Sequence, residues 1–217
     1  MTAGTVAEQL LLLGDEESSN ELAFLDFVND VYTIGGDPVA LASIIDDTGR
    51  RSASGLSILD TPDLFATGDL TDLLISGDYT VVVEFSAGNP GFGGHRLFFF
   101  EAHNAGFTLF GLVTLEVFFR TATGVDENDA ADQRTVEDLD NDYSNGTNRM
   151  AFTRTDTHIA LSINGNAVLS DDTFSGTITN LDTVRLASAN AATSGAFIRK
   201  MWIYNPVSDT ELPGLSS

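Results

Sequence analysis

The chain has 217 residues, 42% of them hydrophobic and 15 of them Phe, which is enough apolar surface for a packed core and excludes a disordered chain. Its 32 Asp and Glu stand against 10 Lys and Arg, a formal net charge of -22; such a polyanion gains nothing by releasing counterions from nucleic acid or an anionic bilayer, and neither is expected as a partner. Cysteine is absent, which excludes disulfides and thiolate metal sites.

This length suits one large all-β domain. Lys200 is the only lysine, and an Asp-rich, Lys-poor surface fits a marine or saline setting as well as it fits an ordinary acidic protein. Residues 1–21 read as an N-terminal extension: small residues, the Leu10-Leu11-Leu12-Leu13 knot and the acidic Asp15-Glu16-Glu17. They form either a docking arm for another chain or a frayed terminus. The absence of a basic stretch and of a long apolar run there predicts no export signal.

From Leu22 the chain is rich in strand formers as far as Tyr32, where Gly35-Gly36-Asp37-Pro38 ends the run. Pro38 suits the first turn of a short helix over 39–45. Gly55-Leu56-Ser57-Ile58-Leu59 reads as a strand, and helical turns are expected over 61–65 and 69–74. Tyr79-Thr80-Val81-Val82-Val83-Glu84-Phe85 is β-branched and alternating, which predicts a strand with Tyr79, Val81, Val83 and Phe85 on the core face. Strands over 96–102, 106–112 and 114–121 follow at even spacing, the pattern of a sandwich or barrel. Glu101, His103, Asn104, Gly106 and Glu116 interrupt this apolar region, so no membrane insertion is expected.

Residues 124–148 are acidic and aperiodic, either one rim loop or a loop with a weak strand over 134–139. Strand character returns at Arg149. Ile159-Ala160-Leu161-Ser162-Ile163 and Ala167-Val168-Leu169 flank Asn164-Gly165, a dipeptide suited to the positive φ angles of a hairpin turn. The last strand runs to Tyr204 and stops at Asn205-Pro206, because proline cannot donate to a ladder. Ser208-x-x-Glu211 then reads as a capping box for a closing turn pinned by Leu212.

The C-terminal order of Asn-Gly hairpin, Leu181-Asp182-Thr183-Val184-Arg185-Leu186-Ala187-Ser188, and the run Gly195, Ile198, Arg199-Lys200, Met201, Ile203-Tyr204, Asn205-Pro206, Ser208-Asp209-Thr210-Glu211-Leu212 resembles the concanavalin A-like, or laminin-G-like, superfamily. Val207 stands where that pattern usually has Leu. The resemblance implies an all-β jelly-roll sandwich of two antiparallel sheets with a few short helical turns, here a single domain over residues 22–217. The front part, with Phe24-Leu25-Asp26-Phe27, Tyr32, Gly35-Gly36, the turn at 41–45 and Asp72-Leu73-Leu74, resembles lectin-fold virion proteins of tailed bacteriophages. That resemblance implies a structural protein on the virion surface, assembled in the host cytoplasm. Other virion proteins would be its partners in a homo-oligomer such as a trimer.

The glucanases of this superfamily carry Glu-x-Asp-x-x-Glu along one strand, which places two carboxylates in one cleft. No such run exists here. Glu84, Glu101 and Glu116 are lone acids, and His95, His103 and His158 have no identifiable Ser or Cys partner. The chain is therefore expected not to be an enzyme, and no cofactor is expected. Asp138-x-Asp140-x-Asp142 offers alternate carboxylates to calcium, but Arg149 stands where an EF-hand loop needs Glu, so a solvated acidic loop is the default. Asn145-Gly146-Thr147 matches a glycosylation acceptor but reads as a turn.

Sugar sites combine aromatic faces with amide or carboxylate groups, which makes His103, Asn104 and Tyr143, with Phe92 among its glycines, the candidate glycan residues. Arg199, Lys200 and Trp202 on the last strand are the candidates for contact with another protein chain. The leading expectation is a capsid decoration, fibre or spike component; the rival is a carbohydrate-binding lectin-like module for host polysaccharide, and a glycoside hydrolase comes last.

Overall fold

The structure, a computed structural model, describes residues 20–57, 64–75, 78–86, 96–102, 107–113, 116–120, 133–138, 146–155, 158–171, 184–187 and 197–217; between 96 and 138 it describes the course of the backbone alone. It is a jelly-roll sandwich of a ten-stranded and a six-stranded antiparallel sheet.

The large sheet is built around β7 (Tyr79–Ser86) and β16 (Phe197–Tyr204), which pair with each other over most of their length. On the β7 side follow β12 (Thr147–Arg154), β13 (Ile159–Ile163) and β14 (Leu169–Asp171). On the other side of β16 lie β1 (Glu21–Asp26), β2 (Val31–Ile34) and the edge β3 (Asp37–Pro38), while β5 (Gly55–Ser57) extends β16 near Phe197 and carries β4 (Arg51–Ser52). The small sheet has the order β11 (Gln133–Asp138), β10 (Glu116–Arg120), β9 (Phe107–Val113), β8 (Arg96–Ala102), β15 (Val184–Ala187), β6 (Leu64–Ala66). The helices are short: α1 (Leu41–Ile44), α2 (Gly68–Ile75) and α3 (Leu212–Leu215). Among the described residues no helix is long and apolar enough to cross a membrane.

The core lies between the sheets. Tyr79, Val81, Val83 and Phe85 face it from β7 as the alternation predicts, joined by Met150 and Phe152, Leu161 and Ile163, Ile198, Met201 and Ile203, and Ala23 and Leu25. Leu64, Ala66, Val184 and Leu186 meet them from the small sheet, and Leu70 and Leu74 of α2 enter from the side. Arg154 is fully buried on the same face of β12, opposite Tyr79. Burial pushes the Tyr79 phenol up from its usual pKa, and the Arg154 charge works against that shift. At about 25 cal/mol per Å² of buried apolar surface, this interdigitated layer is the main source of stability.

Four local expectations change. The run from Leu22 to Tyr32 is not one strand but a hairpin: the chain reverses over 27–30, where Asp26 accepts from the backbone N–H groups of Val28 (3.0 Å) and Asn29 (2.9 Å) and Asp30 takes φ 63°. Pro38 sits in edge strand β3 opposite Thr33 and does not open a helix, so α1 begins only at Leu41; an edge position has no need of the missing N–H. Leu64–Ala66 is strand, not helix, because it pairs with β15. The Asn164-Gly165 turn has the expected positive φ (51° and 75°) and closes with Asn166 N–H donating to the Ile163 carbonyl at 2.9 Å. The return strand β14 nevertheless starts only at Leu169, because Ser162 Oγ donates to the Asn166 carbonyl (2.7 Å) and the chain past the turn packs against the C-terminal segment. The weak strand in the acidic region is present as β11.

Candidate functional site

The outer face of the large sheet carries three rows of side chains across β12, β7, β16 and β1, and the sequence dictates what occupies each. An irregularity between Ile198 and Lys200 inserts Arg199 as an extra residue, so two successive cations emerge from β16. They turn to opposite neighbours: Arg199 Nε lies 3.1 Å from Glu84 Oε1 on β7, and Lys200 Nζ lies 3.4 Å from Asp26 Oδ2 on β1. Asp26 has a depressed pKa. Burial raises it, but hydrogen bonds from the side chain and backbone of Asn29 and the Lys200 charge together outweigh burial.

In the next row Trp202 stands between Val82 and Phe24. Its ring centroid is 5.5 Å from that of Phe24, and the Arg149 guanidinium lies 4.6 Å from the ring, a cation–π contact. Arg149 Nη1 also donates to a main-chain oxygen of Ser217 at 3.3 Å. The sequence-predicted contact residues Arg199, Lys200 and Trp202 are thus brought together on one face, each half-buried and engaged within the chain.

The third row, Thr153, Thr80 and Tyr204, leads under the C-terminal segment. Asn205-Pro206 breaks β16, and the chain folds back over its own sheet. Val207 N–H donates to Thr80 Oγ1 (3.0 Å), His158 Nε2 meets Asp209 Oδ1 at 2.7 Å, and Ser216 Oγ lies 2.8 Å from Ser162 Oγ. Leu212 packs on Val82, Ala151 and Ala160, with Val168, Val207 and Leu215 around them. The Ser208 box forms in half: Glu211 Oε2 accepts from Ser208 N–H (2.9 Å) and from Ser208 Oγ (2.6 Å), while Ser208 Oγ makes no bond to the Glu211 backbone. Those two bonds hold the Glu211 carboxyl below its usual pKa, so it is ionised at neutral pH.

Between this segment and the start of β1 lies a cleft of about 450 Å³, lined by Asn20, Tyr204, Val207, Thr210, Glu211, Gly214 and Leu215. Asn20 is placed there by β1–β16 pairing, which ends with Asn205 N–H donating to the Asn20 carbonyl at 3.0 Å. The partly buried Tyr204, on a central strand, is bordered by a carboxylate, an amide and a hydroxyl. A second, more open depression of about 530 Å³ is lined by Asp30, Tyr32, Thr48 and Arg51 with residues of the α1 region. Its ring, Tyr32, is only 5% exposed, and its charges answer each other, Arg51 Nε being 3.5 Å from Asp30 Oδ1. It offers no aromatic face.

His103, Asn104, Tyr143 and Phe92, the sequence-predicted glycan residues, lie outside the described residues, as do Asp140 and Asp142 of the calcium candidate and residues 1–19 of the docking arm, whose last residue, Glu21, belongs to β1. Among the described residues no group of three His, Asp or Glu gathers that could hold a metal ion. The sequence reading missed Asn20, Thr210 and Glu211 as one site. The only signal for it was the helix-type box Ser208-x-x-Glu211, four to seven residues after the outward-facing Tyr204 and behind a strand-ending Asn-Pro.

No protein-family profile matches the sequence, and no curated protein matches it. Solved structures do. A sialidase of Trypanosoma rangeli aligns at 14% identity and TM-score 0.57 over 91% of this chain and 32% of its own. The carbohydrate-binding module CBM40 of the Ruminococcus gnavus IT-sialidase, bound to α2,3-sialyllactose, aligns at 16% identity and TM-score 0.47 over 65% of this chain and 83% of its own. The first likeness establishes a shared lectin-like sandwich fold and nothing finer; the second is too loose to bear on the ligand. The chain spans about a third of the trypanosomal enzyme.

Proposed function

We propose that this jelly roll is a lectin-like recognition module that binds a saccharide in the cleft beside Tyr204 and performs no chemistry on it. One observation carries the reading: a partly buried aromatic residue, fixed on a central strand, stands beside an ionised carboxylate and an amide in a cleft of about 450 Å³. Sugars present the two surfaces this needs, an apolar C–H face for the ring and hydroxyls for Glu211, Asn20 and Thr210. A rigid strand keeps the ring in place at little entropic cost.

Non-catalytic action is part of the proposal. Glu211 is the single carboxylate lining the cleft, whereas glycoside hydrolysis uses a pair of them on opposite sides of the bond. Placement on the surface of a phage particle, in a homo-oligomer among other virion proteins, is a further part; it is supported by the resemblance of the segments between Phe24 and Phe85 to phage lectin-fold proteins. In that setting the module serves attachment to host polysaccharide.

Screening the whole chain on a glycan array, followed by calorimetric titration of the best ligand, tests the reading. Tyr204→Ala and Asn20→Ala are expected to weaken binding at least about tenfold, or roughly 1.4 kcal/mol, while circular dichroism stays that of the parent. Absence of binding to any saccharide, or binding that both variants leave intact, refutes it.

A further inference from the structure

Taking the saccharide reading of the cleft as its premise, we infer that the cleft selects against acidic sugars and prefers one bearing a free amine. The seven lining residues include one carboxylate and no cation. Glu211 uses Oε2 for both of its bonds to Ser208, which leaves Oε1 without a partner inside the protein, on an exposed residue of the lining. A protonated sugar amine there forms a charge-assisted hydrogen bond; a sugar carboxylate meets a like charge at the same place.

The cations on the same face are already committed. Arg199 is held by Glu84, Lys200 by Asp26, and Arg149 by the Trp202 ring and Ser217, so drawing one of them toward an anionic ligand would break an existing contact. The formal net charge of -22 adds a long-range repulsion for any anion approaching the cleft. The carboxyl is also held ionised by its two bonds to Ser208, so it stays charged across the neutral range. Selectivity thus follows from one uncompensated carboxylate on an acidic body.

The discriminating experiment titrates the whole chain at about pH 6, where a sugar amine is protonated and a carboxylate ionised. The probes are a glucosamine oligomer, its N-acetylated counterpart and 3′-sialyllactose. The amine form should bind about tenfold or more tighter than the neutral one, and the acidic one weaker still, with the spread shrinking from about 0.15 M to 1 M salt. Glu211→Gln should collapse the amine preference, the ratio of amine to neutral affinity falling to within about twofold of one, whatever loss the two sugars share. Thr210→Lys, at an exposed lining position, should raise affinity for sialyllactose. Tighter binding of sialyllactose than of the neutral oligomer, or an amine preference that survives Glu211→Gln, overturns the inference and leaves the saccharide reading standing. Failure of all three sugars to bind overturns the inference as well, and the glycan array then decides the saccharide reading.

Discussion

Asp26 is the point where strand, turn and surface charge depend on one side chain. Only 6% of it is exposed, and four groups converge on it: Val28 N–H and Asn29 N–H on Oδ1, and Asn29 Nδ2 (2.8 Å) and Lys200 Nζ on Oδ2. Asp26→Ala leaves the turn donors without their acceptor and Lys200 without its partner. Hydrogen bonds to a charged acceptor contribute about 1.5–3 kcal/mol each, but solvent reaches Asn29 and Lys200 and replaces part of the loss, so we expect about 3 kcal/mol. Asp26→Asn keeps Oδ1 but turns an amide donor toward two donors, and about 1–2 kcal/mol should be lost. The share owed to the ion pair is smaller. Lys200 is 30% exposed, so a double-mutant cycle with Lys200→Met should return a coupling of about 0.5–1 kcal/mol.

Urea unfolding measures these values directly, because Trp202, the single tryptophan, sits one row from Asp26 on the same face and reports the transition by fluorescence. The pH dependence carries a sign. The folded pKa of Asp26 lies below its unfolded value, so its stabilisation is fully present above about pH 4 and disappears as pH falls through the folded pKa. The gap between parent and Asp26→Asn should therefore close in the acid range below about pH 4. A gap constant from neutral pH to that range, or an alanine cost below about 1 kcal/mol, would show that the carboxylate charge does not hold the turn.

Gly55 and Gly36 both have positive φ, 120° and 84°, yet a Cβ at Gly55 would run into the carbonyl oxygen of Ile198 on central strand β16, while one at Gly36 meets nothing within 4 Å. Gly36→Ala should cost about 1 kcal/mol, and Gly55→Ala at least about 3 kcal/mol or a failure to fold; equal losses in melting experiments would contradict the close approach. The Tyr32 hydroxyl is buried and lies near Asp30 and Arg51, but neither reaches it with hydrogen-bond geometry. Tyr32→Phe should accordingly leave stability unchanged or raise it by about 1 kcal/mol, and a loss of that size would mean the phenol is bonded after all.

Strand β7 was legible because its alternation is local: every second residue from Tyr79 to Phe85 is buried in the core. Its other face was not, since Val82 and Thr80 are equally buried. They are covered by α3 and the chain leading to it, which arrive from more than 120 residues downstream. The helical turn expected near residue 64 and the continuous run of strand formers to Tyr32 gave way for different reasons. Leu64–Ala66 becomes strand through β15, a pairing no local window contains, whereas the turn at 27–30 is carried by Asn29-Asp30, with Asp30 at φ 63°, and by the Asp26 carboxylate that accepts from Val28 and Asn29.

The cleft is hidden in the sequence for the same reason, while the charged and aromatic residues of β16 stand out. Arg199, Lys200 and Trp202 attract notice because they are rare in this chain, but folding places an acid or a ring beside each of them, so their binding capacity is already used within the sheet. Asn20 and Glu211 are unremarkable in an acidic sequence; they matter because β1 pairs with the end of β16 while the chain after Pro206 doubles back across it. Tyr204 is then flanked by a residue from each end of the chain. What remains open on this face is the part that internal packing and ion pairing do not consume, and its character is set by a carboxylate with one oxygen to spare.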